Sequence, residues 1–305
     1  MPSPHFDLAF ASPRKLPKPR EVRGNVAVLD IAFASEAGGQ SFETVTQPFI
    51  EGLGPRLAAW VDHHDSVHHA RYAGDPRFVL STKAEHGACP EMVTPEVVER
   101  AGKVDTLVCH VDFDGLASGA KWMRGGVEPY PGCDADARAI DTRTGVAGPL
   151  GVRIDRALRA RPRDQALFGI IVRLLAGGVA DRSLWEPIDA AGAELGALET
   201  EARRLAQGYQ RVEPDLFIVD ASKRKGSYDK TLLLLLGQER GRMSAVIDGD
   251  SVTFAAGFDS GVNFLTAFGI SGGMPTRVSI QRSKLPEALA ALGVEPEDVR
   301  RLIQR

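Results

Sequence analysis

Three short apolar runs, each closing on an acidic or imidazole side chain, constrain the fold of this chain more than any other feature. Asn25 to Phe33 reads as a buried strand whose Val26-Ala27-Val28-Leu29 run meets Asp30. Leu57 to Asp62 reads as a second strand and is followed by His63-His64, and Asp105 to Asp112 reads as a third, carrying His110. Runs this short, apolar and rich in branched side chains suit strands covered on both faces. Between and after them, Phe42 to Leu53 and Gly115 to Arg124 have helical spacing. Strands alternating with helices predict an α/β fold, a mostly parallel sheet covered by helices. In such sheets ligands gather beyond the carboxyl ends of the strands.

The remaining sequence divides the chain. Residues 1–23 form a basic, Pro-rich segment (Arg14, Lys15, Lys18, Arg20) expected to be a loosely held terminus. Residues 24–190 form the domain built on the three strands. Arg153 to Leu175 looks helical with arginines along one side (Arg153, Arg156, Arg159, Arg161, Arg163), expected mainly as a solvated face. Asp189 to Tyr209 has Leu195, Leu198, Ala202 and Leu205 at helical spacing, and 191–211 is expected to be a connecting helix. Strand-like runs at 216–220, 243–248 and 252–256 place a smaller C-terminal α/β domain at 212–305.

Composition narrows the partners. The longest apolar run, Leu232 to Leu236, is far short of the roughly 20 residues of a membrane span. The first residues lack a secretory pattern, and the widely spaced Cys89, Cys109 and Cys133 suit a reduced, cytoplasmic protein. A net charge of −3 argues against a protein that coats duplex DNA. Six of the seven histidines lie between positions 63 and 110, interleaved with aspartates, which is material for a metal or acid–base site.

The strongest local signal is Cys109-His110-Val111-Asp112-Phe113-Asp114-Gly115. On a strand, side chains alternate, which predicts His110, Asp112 and Asp114 on one face and Cys109 on the other. Two carboxylates ~4 Å apart repel by about 4 kcal/mol at an effective dielectric of 20, and a cation removes that cost. Gly115 allows a tight turn into a helix whose N-terminus favours an anion. The second signal, Asp62-His63-His64, sits beyond a strand end, whereas His68-His69 reads as loop surface. Asp30 ends its run similarly, and Asp141 lies in Ile140-Asp141-Thr142 before a turn. The set Asp30, His63, His110, Asp112, Asp114 and Asp141 offers oxygen and imidazole donors without thiolate, which favours two divalent cations, Mn²⁺ or Mg²⁺. Two such ions ~3.5–4 Å apart clamp a phosphoryl group.

Asp62-His63-His64 together with His110-x-Asp112-x-Asp114-Gly115-x-x-Ser118 resembles the DHH phosphoesterase superfamily. That superfamily contains RecJ-type nucleases, oligoribonucleases, cyclic dinucleotide phosphodiesterases and manganese pyrophosphatases. Its His/Asp-x-Asp-Gly strand ordinarily comes first, whereas here Asp30 and Asp62-His63-His64 precede it, as a circular permutation would give. The resemblance implies that His110, Asp112 and Asp30 hold one ion, and that Asp114, His63 and Asp141 hold the other, with Asp30 bridging. It implies a catalytic, substrate-facing role for His64, beside Asp62. Gly269 to Ile280 resembles the glycine-rich turn of the family's substrate-binding domain but lacks its histidine. Gly272, Gly273, Arg277, Arg282 and Asn263 are the corresponding substrate-binding candidates, with Lys223-Arg224-Lys225 a further basic run.

The expectation is a Mn²⁺- or Mg²⁺-dependent hydrolase acting on a short oligonucleotide, a cyclic dinucleotide or a small nucleotide phosphate. The alternative is a catalytically degenerate relative that binds nucleotides or nucleic acid for regulation.

Overall fold

The computed structural model describes residues 6–212, 215–224, 226–295 and 297. The chain forms two compact units. The first runs to Ala34 and resumes from Ser41 to Glu194, and the second takes Ser35–Gln40 and the chain from Leu195 onward.

The first unit is built on five parallel strands: β1 (Asp7–Phe10), β2 (Val26–Leu29), β3 (Leu57–Asp62), β4 (Phe78–Leu80) and β5 (Thr106–Cys109). Their order across the sheet is β1-β5-β2-β3-β4. Alternation along the strands supplies two cores. Ala27, Leu29, Ala59, Val61, Leu107 and Cys109 pack under one set of helices. Val26, Val28, Trp60 and Val108 face an aromatic layer of Phe33, Phe42 and Phe49. Every residue of β2 and β5 is buried, as parallel strands covered on both faces must be. Each branched side chain so enclosed contributes about 1.5–3 kcal/mol.

The covering helices are α1 (Gln47–Leu53), α2 (Pro95–Ala101), α3 (Phe113–Met123), α4 (Cys133–Thr142), α5 (Pro149–Ala160), α6 (Gln165–Ala176) and the start of α7 (Trp185–Ala206). Among the described residues no helix is long and apolar enough to cross a membrane.

Several expectations are corrected. The N-terminal segment is not loose: Asp7–Phe10 pairs in parallel with β5, and Leu8 and Phe10 pack on the core. The third strand stops at Cys109 rather than continuing to Asp112. Arg153 to Leu175 is two helices, because Pro162 cannot donate and disfavours helix at Arg161, while Asp164 caps the next helix by accepting from Leu167 N at 3.0 Å. Arginines on this stretch serve the unit itself. Arg153 pairs with Asp189 and stacks 3.9 Å from the Trp185 ring, Arg159 pairs with Asp155, and Arg161 pairs with Glu194.

In the second unit, β6 (Gln210–Val212), β7 (Leu216–Asp220), β8 (Met243–Asp248), β9 (Ser251–Ala256) and β10 (Arg277–Gln281) form a mixed sheet ordered β10-β9-β8-β7-β6, in which only β7 and β8 run parallel. One face packs on α9 (Phe264–Phe268) and α10 (Leu285–Ala291), the other on the end of α7 and on α8 (Lys230–Gln238).

Candidate metal centre

The carboxyl ends of four adjacent parallel strands carry the charged cluster. Asp30 follows β2, His63 follows β3, Lys83 lies three residues beyond β4, and His110 follows β5. The ladder continues just past the strand ends: Asp30 N donates to Val61 O at 2.9 Å, His110 N to Leu29 O at 3.1 Å, and Ser81 N to Asp62 O at 3.0 Å. These bonds hold neighbouring strand ends at one level.

Asp30 is the centre of the arrangement. It is 1% exposed, and its backbone is left-handed at φ 60°. A non-glycine residue there costs roughly 1–2 kcal/mol, and such strain collects at functional sites. The turn is held from the core: the indole of Trp60 donates to Ile31 O at 2.9 Å, and Ala34 N donates to the hydroxyl of buried Thr46 at 2.8 Å. Both carboxylate oxygens of Asp30 are buried and accept no hydrogen bond, which is costly for an ionised group.

Two imidazoles face it, each beside a further carboxylate. His63 Nε2 lies 3.1 Å from Asp30 Oδ1 and 3.3 Å from Asp114 Oδ2. His110 Nδ1 lies 3.5 Å from Asp30 Oδ2 and 2.7 Å from Asp112 Oδ2. Asp30, His110 and Asp112 can converge on one point, as can His63, Asp114 and Asp141, and as can Asp30, His63 and His64.

Asp112 and Asp114 arrive by a route that strand alternation did not foresee. With β5 ended at Cys109, Asp112 is the N-cap of α3, accepting from Gly115 N at 3.3 Å, and Asp114 lies in the helix's first turn. The helix N-terminus favours both carboxylates. Asp141 comes from the last turn of α4, where a carboxylate opposes the helix dipole.

The electrostatics follow from burial and crowding. Burial, then Asp141 and Asp112, raise the Asp114 carboxyl. Burial works against a charge on His110, but Asp112 and Asp30 outweigh it and raise the imidazole. Burial and Lys83 oppose a charge on His63, and the Asp114 and Asp30 carboxylates beside it favour one. Asp141 is held down at about 2: burial opposes its charge, and Lys83 and His63 more than offset that.

Asp62 is fully buried and accepts from His64 Nδ1 at 2.8 Å. Burial opposes its ionisation, but His64 and His63 lower it below the ordinary carboxylate range. Since a carboxylate only accepts, the proton of a neutral His64 rests on Nδ1 and leaves Nε2 as the reactive nitrogen.

Lys83 was not anticipated. It is 2% exposed, its Nζ lies 2.9 Å from His63 Nε2, and it forms an ion pair with Asp141 Oδ2. The strand before it is only three residues long, Phe78-Val79-Leu80, and a lone lysine in Ser81-Thr82-Lys83-Ala84 carries no sequence signal.

His68 and His69 are not loop surface. His68 stacks on Phe42 with ring centroids 4.3 Å apart, and His69 meets Phe33 edge-on at 5.3 Å. The substrate-binding candidates lie in the second unit. Asn263 caps α9, accepting from Thr266 N at 3.0 Å, and Arg282 pairs with Asp220 at 3.2 Å. Gly272 and Gly273, the latter at φ 129°, precede a tight turn closed by Met274 and Arg277, and Arg277 is exposed. Arg224 is tied to Asp248 and lies over the Tyr228 ring, while Lys225 is outside the described residues.

The donor set fits a divalent ion at Asp30, His110 and Asp112. Their spacings of 3.5 and 2.7 Å bracket the ~3 Å between adjacent donors around an ion with bonds of about 2.1 Å. Oxygen and imidazole without thiolate suit Mn²⁺ or Mg²⁺, and the orphaned oxygens of Asp30 gain the partner they lack. The His63, Asp114 and Asp141 group fits less well, because the Lys83 ammonium is in contact with two of its three members.

No family model matches this chain, and no curated protein sequence matches it. Among solved structures, a pGpG-specific phosphodiesterase, PggH, from Vibrio cholerae is similar over 66% of this chain and 79% of that one, at 12% identity and a TM-score of 0.36. A likeness this slight carries no argument here.

Proposed function

We propose that the chain is a divalent-cation-dependent phosphoester hydrolase of the DHH type, acting on a short oligonucleotide, a cyclic dinucleotide or a small nucleotide phosphate. The observation that carries the reading is Asp30: a buried carboxylate, in left-handed backbone, whose oxygens accept no hydrogen bond and are flanked by His110 and His63. An ion bound by Asp30, His110 and Asp112 supplies Lewis-acid polarisation of a phosphoryl oxygen and a more acidic water.

The chain's own residues do the rest. Asp62 orients His64 through Nδ1, so that Nε2 can carry a proton to the departing oxygen. The first turn of α3 presents backbone N–H groups where negative charge is favoured.

The test is a panel of nucleotide phosphodiesters and monoesters with Mn²⁺ and Mg²⁺, run on the wild type and on Asp112→Asn. Asparagine keeps the cap on α3 but gives up the charged donor. Hydrolysis should need the cation and fall by at least ~100-fold in the variant, at an unchanged urea midpoint. Unaltered turnover in the variant, or no hydrolysis of any ester, refutes the assignment.

A further inference from the structure

Lysine is among the side chains least often buried, yet Lys83 is 2% exposed and ends among carboxylates and an imidazole. Its backbone is fixed so that the side chain reaches inward. Lys83 N donates to Asp65 Oδ2 at 3.2 Å, and the turn before it is clamped by Glu85, which accepts from Ser81 Oγ at 2.7 Å and from Thr82 N at 3.2 Å. His63 is fixed from the far side, where Nδ1 donates to His86 O at 2.9 Å. A carbonyl only accepts, so Nδ1 carries the proton and Nε2 is the atom left to meet Lys83.

The contact of 2.9 Å between Nζ and Nε2 has room for one proton. The carboxylates favour a charge on both groups, but lysine is by nature the stronger base, so the ammonium donates and the imidazole accepts. Burial opposes the charge on Lys83, and Asp141, Asp114 and Asp30 together outweigh it.

These are the atoms that would have to ligate an ion in the His63, Asp114 and Asp141 group. His63 Nε2 and Asp141 Oδ2 are 4.0 Å apart, which equals the span across one ion with two bonds of about 2.0 Å. The lysine nitrogen touches both atoms, so it fills the volume that such an ion would need. The Asp30, His110 and Asp112 group has no such occupant.

We propose that the Lys83 ammonium takes the place of one of the two divalent ions that this constellation of ligands would otherwise hold, so that the protein works with a single exchangeable ion, at Asp30, His110 and Asp112, and one cation built into the chain. The inference rests on the phosphoester-hydrolase reading and refines its cation requirement. An ammonium differs from a second metal in kind. It can donate hydrogen bonds to a phosphoryl oxygen and balance its charge, but it offers no open coordination position, and a chelator cannot remove it.

The experiment is Mn²⁺ binding to the full chain by equilibrium dialysis, with electron paramagnetic resonance of the bound ions. The wild type should hold one Mn²⁺ per chain and show no spin coupling. Lys83→Ala should hold two, with the exchange-coupled signal of ions ~3.5–4 Å apart. Its melting temperature should drop in chelator and recover in Mn²⁺, a recovery that loss of a merely structural ion pair would not give. Two ions on the wild type would overturn the lysine substitution and leave the hydrolase reading standing; none would remove both. One ion on folded Lys83→Ala would also overturn it. If that variant does not fold, Lys83→Gln and the wild-type stoichiometry decide the matter.

Discussion

Gly115→Ala tests whether the start of α3 must lie as close to His110 as it does. A methyl group at this position would meet the His110 carbonyl oxygen at 2.7 Å, its Cβ at 2.8 Å and its carbonyl carbon at 2.9 Å. Ordinary contacts begin near 3.4 Å, so about 0.5–0.7 Å must be found. Two of the three atoms are backbone and cannot turn aside as a side-chain tip would. Overpacking of this kind costs about 1–3 kcal/mol, while alanine returns at most ~1 kcal/mol of helix propensity. The net expectation is a loss of roughly 1–2 kcal/mol. Relief requires either His110 to leave its level beside Asp30 or Asp112 and Asp114 to withdraw with the helix, so Mn²⁺ affinity should fall ~10–100-fold. Urea denaturation and Mn²⁺ titration measure the two effects. Gly196→Ala is the control: an exposed glycine within α7 whose added methyl would meet nothing within 4 Å, so it should gain up to ~1 kcal/mol. A Gly115→Ala protein as stable as the wild type, with unchanged Mn²⁺ affinity, refutes the reasoning.

Asp62→Asn removes the charge that orients His64 without removing an assigned ion ligand; kcat should fall ~10–100-fold while Mn²⁺ affinity stays within about threefold, and an unchanged kcat would exclude the pair from catalysis. The cysteines should be silent. Burial raises the Cys89 thiol and pushes Cys109 and Cys133 up to about 12, and all three are fully buried, so a disulfide reagent at pH 8 should label none of them until denaturant is added. Rapid labelling of the folded protein would show that one of these thiols is not enclosed.

Much of the arrangement was legible because one physical rule generates it. A buried strand in a parallel sheet is an apolar run, and the residue at its carboxyl end is the first to reach the sheet edge. That rule pointed to Asp30 and His63, whereas His110 was reached by side-chain alternation along a strand expected to run to Asp112. Asp112 and Asp114 were reached by extending strand alternation past Cys109, where the chain has already turned into α3; helix capping places them, and an Asp three residues before the next carboxylate pair's glycine reads as a cap at least as well as a strand. Lys83 was out of reach because a three-residue strand has no periodicity to detect. His68 and His69 were misread for a related reason, since their partners Phe33 and Phe42 are distant in sequence and only tertiary packing joins them.

The cluster concentrates departures from local preference at one edge of one sheet. Asp30 takes a backbone region that glycine would fill more cheaply. Asp141 sits at the wrong end of α4 for a carboxylate, and Asp114 is buried beside other acids. Local conflicts of this sort are expected where function, not folding, selects the residues. They also pose a folding problem, because unpaired buried carboxylates oppose the compact state until a cation arrives. A cation supplied by the chain answers it. Lys83 pairs with Asp141 of α4 and faces His63 at the end of β3 in the folded chain, so the most conflicted acid is neutralised by folding itself. What the chain leaves without a cation is the side of Asp30 that faces His110 and Asp112, and there the half-buried Asp112 carboxylate leaves an exchangeable ion a way in.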